Sequence, residues 1–210
     1  CGSLGVNSSF LGFVHGPIPA CGFLVPAPEK VLVIGSETLS RITDWTDRTT
    51  CILFADGAGA VVLEATDGPG QLLGWDLGSQ GNLRHVLYAE IAGTLVMEGK
   101  EVFRQAVKAM VGSAEAALER AGFDASDISV VVPHQANTRI IDSAMKKLGI
   151  PSERAATVLQ TTGNTSSASI PLALAAALDQ GQISDGDLVL LVGFGAGMTS
   201  ASAVLRWGAQ

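Results

Sequence analysis

Residues 128–149, ISVVVPHQANTRIIDSAMKKLG, decide the reading of this chain. Ile128 to Val132 form a β-branched run, and Pro133 ends it, as expected for a short buried strand. The strand delivers His134 to its C-terminal end. Beyond HQAN, TRIIDSAMKKL places Ile140, Ile141, Ala144 and Leu148 on one face of an amphipathic helix, stopped by Gly149 and Pro151. Strand, polar loop, helix is the unit from which α/β sheets are built. In such sheets, polar residues at strand C-termini and helix N-termini commonly form the site.

Working outward, two further segments have this form. GNTSSASIPLALAAALDQG (163–181) opens with amide and hydroxyl residues suited to N-capping and continues as an Ala/Leu helix, with Pro171 tolerable only near its start. DLVLLVGFGAGMTSASAVLRW (187–207) reads as strand, glycine turn, strand. EVFRQAVKAMVGSAEAALERAGF (101–123) carries a 3.6-residue apolar stripe ended by Gly122, a long amphipathic helix. EKVLVIGSE (29–37) is a buried strand, and CILFADGAGAVVLEA (51–65) reads as strand, Asp-Gly turn, strand, with Cys51 in the first. DGPGQ (67–71) is the clearest breaker and divides the chain into 1–66 and 71–210. The prediction is α/β with a mixed, largely buried sheet.

Composition narrows the function classes. The chain has 210 residues, 47% of them hydrophobic, and a formal net charge of −7. That balance disfavours nucleic acid as a partner. No uninterrupted apolar segment reaches the ~20 residues of a membrane span; Asp179, Asp185 and Asp187 divide the nearest candidate. Three cysteines (Cys1, Cys21, Cys51) at unpatterned spacing suggest neither a disulfide framework nor a zinc site, and point to a reducing cytoplasm. The chain opens on Cys1 without methionine, so a fragment of a longer protein is expected.

Each candidate site motif has a plain alternative. Taken alone, His134 after a strand reads more readily as a hydrogen-bonded structural histidine, Asn164 as a helix cap, and GFGAG (193–197) as bends and bulges. Their order and spacing, however, together with VLVIGSETLSRITDWTDRTT, FADGAGAVVLEA, MEGKEVF, PHQANTRIID, TTGNTSSASIPLAL and LVGFGAGMT, resemble the type III β-ketoacyl-acyl-carrier-protein synthases of the thiolase-like superfamily.

The resemblance implies a five-layered αβαβα fold of two similar halves, here an incomplete N-terminal half and a complete C-terminal half, normally paired as a homodimer. It implies transfer of a short acyl group from acyl-CoA to a cysteine, then condensation with malonyl-acyl-carrier protein with loss of CO2, without metal or redox cofactor. His134 and Asn164 would be the donors that stabilise the enolate formed on decarboxylation, and the backbone N–H of Ala196 would complete an oxyanion hole. Arg48 would pack against the CoA adenine, its alternative being a surface ion pair with Asp44 or Asp47. Gly99, Phe103, Ala136 and Asn137 would line the pantetheine tunnel. Arg104, Arg139, Lys146 and Lys147 would dock the acidic carrier protein, or else form a solvated helix face.

The match breaks at three places. NSSFLGF (7–13) has Phe10 where the family's N-x-x-C-x-G-F segment carries its nucleophilic cysteine, and Cys21 lies about three helical turns further on. Pro17, Pro19 and Pro26 fall where the family has a regular helix, at a cost of about 3 kcal/mol for each internal proline. Ser200 stands in place of an aromatic residue. Two other products of the same fold stay open: a polyketide- or quinolone-type condensing enzyme, and an inactive remnant acting only as a dimer partner. About a third of a full family chain would be missing, so uncovered sheet faces are expected.

Overall fold

The computed structural model describes residues 2–24, 30–65 and 71–208. In chain order the elements are α1 (Gly12–His15), α2 (Pro17–Leu24), β1 (Lys30–Thr38), β2 (Asp56–Glu64), β3 (Gln71–Ser79), β4 (Leu87–Ala89), β5 (Leu95–Met97) and α3 (Gly99–Ala121). They continue with β6 (Val130–Pro133), α4 (Thr138–Leu148), α5 (Leu159–Thr162), α6 (Ser169–Asp179), β7 (Leu188–Gly195) and β8 (Thr199–Arg206).

A mixed sheet ordered β3-β8-β7-β6 forms the centre, with β6 and β7 parallel and the other neighbours antiparallel. All eight residues of β7 are buried, as a strand covered on both faces must be. The pleat divides its side chains between two cores. Leu190 and Val192, with Val131 and Val204, pack against α3 and α4. Val189 and Leu191, with Val130, Val132, Ala201 and Ala203, pack against α1, α2 and α6. Helix α3 follows the expected stripe, burying Val102, Ala106, Val107, Met110, Ala114, Ala117 and Leu118, and closes at Gly122 with φ 73°.

The inner helices are covered in turn by the antiparallel pair β1–β2, in which Lys30 faces Glu64 and Thr38 faces Asp56. The described residues therefore build helix, sheet, helix and strand pair: four of the five layers that the resemblance implies. On the outer face of the pair, Leu32, Ile34 and Val62 are each about 60% exposed (59%, 59% and 61%), so an uncovered sheet face is present as expected, but β1 is not the buried strand read from EKVLVIGSE.

Three local expectations are corrected. The segment 51–65 is not two strands about an Asp-Gly turn: Cys51 to Leu53 form a turn, and Asp56–Glu64 is one continuous strand. Its glycines serve close packing instead, since a Cβ on Gly59 would meet Pro171 at 2.8 Å. Second, Pro17 and Pro19 do not break a helix interior. The helix restarts at Pro17, so both prolines sit in a first turn, where their missing N–H groups are not needed. Pro26 lies outside the described residues, as do residues 67–70 of the DGPGQ boundary; β3 beyond it joins the C-terminal sheet. Third, Asn164 does not cap α6. A 3₁₀ turn at Ser166–Ala168 intervenes, and Pro171 occupies the third position of α6.

Candidate active site

His134 is placed by the backbone before its side chain does anything. Its N–H donates to Val192 O at 2.8 Å, continuing the β6–β7 ladder past Pro133. Gln135, with no exposure, then locks the loop: its Nε2 donates to Pro133 O (2.7 Å) and Ala156 O (3.1 Å), and its Oε1 accepts from Val158 N (3.0 Å). Asn137 caps α4, accepting from Arg139 N at 2.9 Å.

Asn164 is clamped to the segment before β2. Its N–H donates to Leu53 O, and its carbonyl accepts from Ala55 N, both at 2.9 Å. Its side-chain Oδ1 accepts from Ser166 N at 3.0 Å. That bond fixes the amide's rotation and leaves the NH₂ end free to donate elsewhere.

The third approach comes from Phe10, whose backbone has φ 69°, a left-handed conformation that L residues rarely adopt. The GFGAG glycines permit this approach. A Cβ on Gly193 would meet Leu11 Cδ2 at 2.5 Å and His134 Cβ at 2.8 Å, and one on Gly195 would collide with Ser9 O. Gly193 and Gly195 are therefore needed for close contact, while Gly197, with φ 126°, serves the β7–β8 turn.

The three segments converge on one cavity of about 220 Å³. His134, Asn164 and Phe10 all line it, as do Gly99, Phe103, Ala136 and Asn137 from the expected tunnel. Inside, the His134 ring lies 5.9 Å from Phe10 and 5.6 Å from Phe194, and Phe10 lies 6.1 Å from Phe54. His134 is 1% exposed, and burial lowers its pKa from 6.5 to about 3, so the imidazole is neutral at working pH. Its Nδ1 lies 2.7 Å from Ser169 Oγ. A neutral imidazole and a carboxamide on one dry wall can donate to an oxygen that gains charge, without bringing a charge of their own.

Not every expected residue reaches the cavity. Ala196 lies at the β7–β8 turn and is not among its lining. Arg48 is exposed on the turn before it, although its neighbour Thr49 does line it. The alternative ion pair is not formed: Asp44 binds Thr46, Asp47 binds Thr49 and Thr50, and Arg48 makes no salt bridge among the described residues. Arg104 and Lys147 share a second, polar cleft with Gln105 and Lys108, and Arg104 pairs with Glu101 at 2.7 Å. Arg139 and Lys146 are exposed on α4. Ser200 sits on β8 opposite Gly78, where a Cβ on that glycine would meet its Oγ at 2.5 Å.

Neither described cysteine is a substitute nucleophile at this cavity. Cys21 belongs to α2, with its thiol pKa raised by burial, and Cys51 is half-buried in the turn; neither lines the cavity. Sequence reasoning missed the apolar wall of Leu53, Phe54, Leu87, Met97 and Phe194, because nothing local separates a cavity wall from ordinary core. It also missed Ser169 and Lys108. Among the described residues, no cluster of three His, Cys, Asp or Glu could hold a metal ion.

Two family models match the chain: 3-oxoacyl-(acyl-carrier-protein) synthase III over residues 6–81, and the C-terminal model of the same synthase over residues 118–207. The chain belongs to the 3-oxoacyl-acyl-carrier-protein synthase III family. It is 50% identical to the β-ketoacyl-(acyl-carrier-protein) synthase III of Dinoroseobacter shibae, over 96% of this chain and 66% of that protein. The synthase III structure from Thermus thermophilus superimposes with a TM-score of 0.91 at 43% identity, covering 97% of this chain and 67% of the other. The priming β-ketosynthase of the R1128 polyketide pathway gives 0.90 at 36% identity, covering 97% and 65%. The chain thus spans 66% of the length of the curated synthase III relative. The thiolase-like fold and the synthase III resemblance read from the sequence both hold.

Proposed function

We propose that this synthase III chain carries the decarboxylating part of a condensation that starts fatty-acid synthesis. In the complete reaction, a short acyl group from acyl-CoA joins malonyl-acyl-carrier protein to give 3-oxoacyl-carrier protein, free CoA and CO2. The observation that supports it is the single cavity lined by both His134 and Asn164. As the malonyl carboxylate leaves as CO2, its electron pair passes to the thioester carbonyl oxygen. The His134 N–H and the Asn164 NH₂ donate to that oxygen, stabilising the enolate, which in the absence of an acyl acceptor takes a proton from solvent at its α-carbon and leaves acetyl-carrier protein. Neither donor is cationic, so the departing carboxylate is not held back. The step needs no metal or redox cofactor.

Acyl loading is a different matter. Phe10 occupies the nucleophile position, and a benzyl side chain offers no lone pair to attack a thioester. Gly99, Phe103, Ala136 and Asn137 line the route for the pantetheine arm, with Arg48 at its mouth for the CoA adenine. Arg104, Lys147, Arg139 and Lys146 form the docking face for an acidic carrier protein, and the assembly is a homodimer. The test is CO2 release from malonyl-carrier protein. His134→Ala is expected to lower the rate by 10²-fold or more, the usual effect of removing one such donor; an unchanged rate refutes the reading. The likeness to the priming ketosynthase of a polyketide pathway supports a second reading, the same chemistry on a polyketide carrier, which a comparison of the two carrier proteins as substrates decides.

A further inference from the structure

We infer that Ser169 is a positioning residue that holds His134 as the Nε2–H tautomer, so that the imidazole presents an N–H, rather than a bare lone pair, to the cavity. The hydroxyl has one proton and two lone pairs. The Gln135 backbone N–H, which can only donate, points at Ser169 Oγ from 3.2 Å and occupies one lone pair. Nδ1 of His134, at 2.7 Å, is the hydroxyl's only other partner among the described residues.

Two arrangements are conceivable. With the ring proton on Nδ1, Oγ would accept twice, and its own proton would face no acceptor on a residue with 0% exposure. With Nδ1 bare, Oγ accepts once and donates once, and every group is satisfied. A buried donor left without a partner is costly enough to decide between them. The ring proton therefore lies on Nε2, which has no hydrogen-bond partner among the described residues, in a ring that lines the cavity. Because burial keeps the ring neutral, there is one ring proton to place, and its position matters.

Asn164 is oriented by the same logic, since Ser166 N occupies its Oδ1 and leaves the NH₂ free. The stretch 164–169 thus supplies one donor directly and sets the proton of the other. Two serines that sequence alone assigns to helix capping orient both. This deepens the proposed function, on which it rests only for what the N–H does once a thioester is bound.

The test reads the proton itself. In a uniformly ¹⁵N-labelled chain at pH 7, long-range ¹H–¹⁵N correlation separates protonated from bare ring nitrogens. The sequence holds three histidines, and the His134 signals are those lost in His134→Ala. The expected result is a protonated Nε2 and a bare, hydrogen-bonded Nδ1; a protonated Nδ1 overturns the inference. In Ser169→Ala the Nδ1 resonance is expected to move to the position of a nitrogen without a donor, and Ser169→Thr, which keeps the hydroxyl, to restore it. An Nδ1 resonance unmoved by Ser169→Ala also overturns the inference. Decarboxylation is expected to fall about tenfold in the alanine variant, the worth of one hydrogen bond, and to recover with threonine. If the proposed function is wrong, no variant releases CO2, while the tautomer pattern stands.

Discussion

Acid should unfold this protein earlier than its carboxylates require, and His134 is the reason. Among the described residues the ring's partners are Phe10, Phe194 and the Ser169 hydroxyl, none of which titrates in acid. Burial alone holds its pKa near 3, against 6.5 in the unfolded chain. Between those values the unfolded state binds a proton that the folded state refuses. Stability is therefore fully present above pH 6.5 and lost as pH falls toward 3, by up to about 1.4 kcal/mol per pH unit. From pH 7 to pH 4.5 the loss from this one group is on the order of 2–3 kcal/mol, a large part of an ordinary domain's 5–15 kcal/mol.

The carboxylates of Asp44, Asp47, Asp56 and Glu101, whose pKa values are lowered chiefly by hydrogen bonds, lose their contribution only at lower pH. His15, half-buried and also lowered by burial, adds to the trend in the same direction and is common to both chains compared. The assay is urea unfolding followed by tryptophan fluorescence at pH 7, 6, 5.5 and 4.5, on the unaltered chain and on His134→Gln. The unaltered chain is expected to lose on the order of 2–3 kcal/mol more than the variant over that range. Parallel stability curves for the two chains would refute the reasoning, because the ring would then titrate in the folded protein as it does in water.

Two further predictions concern Phe10 and Gln135, which flank His134. At Phe10 the left-handed backbone (φ 69°) should reverse the usual order of small residues: Phe10→Gly is expected to be more stable than Phe10→Ala by about 1 kcal/mol, as read from urea midpoints, although glycine removes one more carbon. An alanine variant as stable as the glycine one contradicts the assigned conformation. Gln135→Leu leaves Pro133 O, Ala156 O and Val158 N without their side-chain partners, and on the order of 3 kcal/mol should be lost in the same measurement. A loss under about 1 kcal/mol would mean that the loop is held by other contacts.

Local pattern carried a good deal of this. The 3.6-residue stripes of α3 and α4, the apolar runs of β6 and β7, and the glycine stops at Gly122 and Gly149 follow from side-chain spacing and from backbone conformations that glycine tolerates best. The segment 51–65 misled because an Asp-Gly pair is a turn signal only where nothing presses against it; here Pro171 lies on the strand's glycine face. Pro17 and Pro19 misled because a helix start was not anticipated at Gly16.

By itself, then, the order of residues determined most of the elements, the family, and the two candidate side chains, His134 and Asn164. Tertiary structure decided that those side chains share a cavity, and that the phenyl ring of Phe10 lines it beside the His134 ring. The division has a physical cause. Periodicity and turn chemistry act over a few residues, whereas the amide rotation of Asn164 and the proton position of His134 depend on how the 164–169 segment folds. For His134 that partner lies thirty-five positions away in the chain. Such contacts leave no spacing signal, because any sequence that folds to the same backbone could supply them from elsewhere.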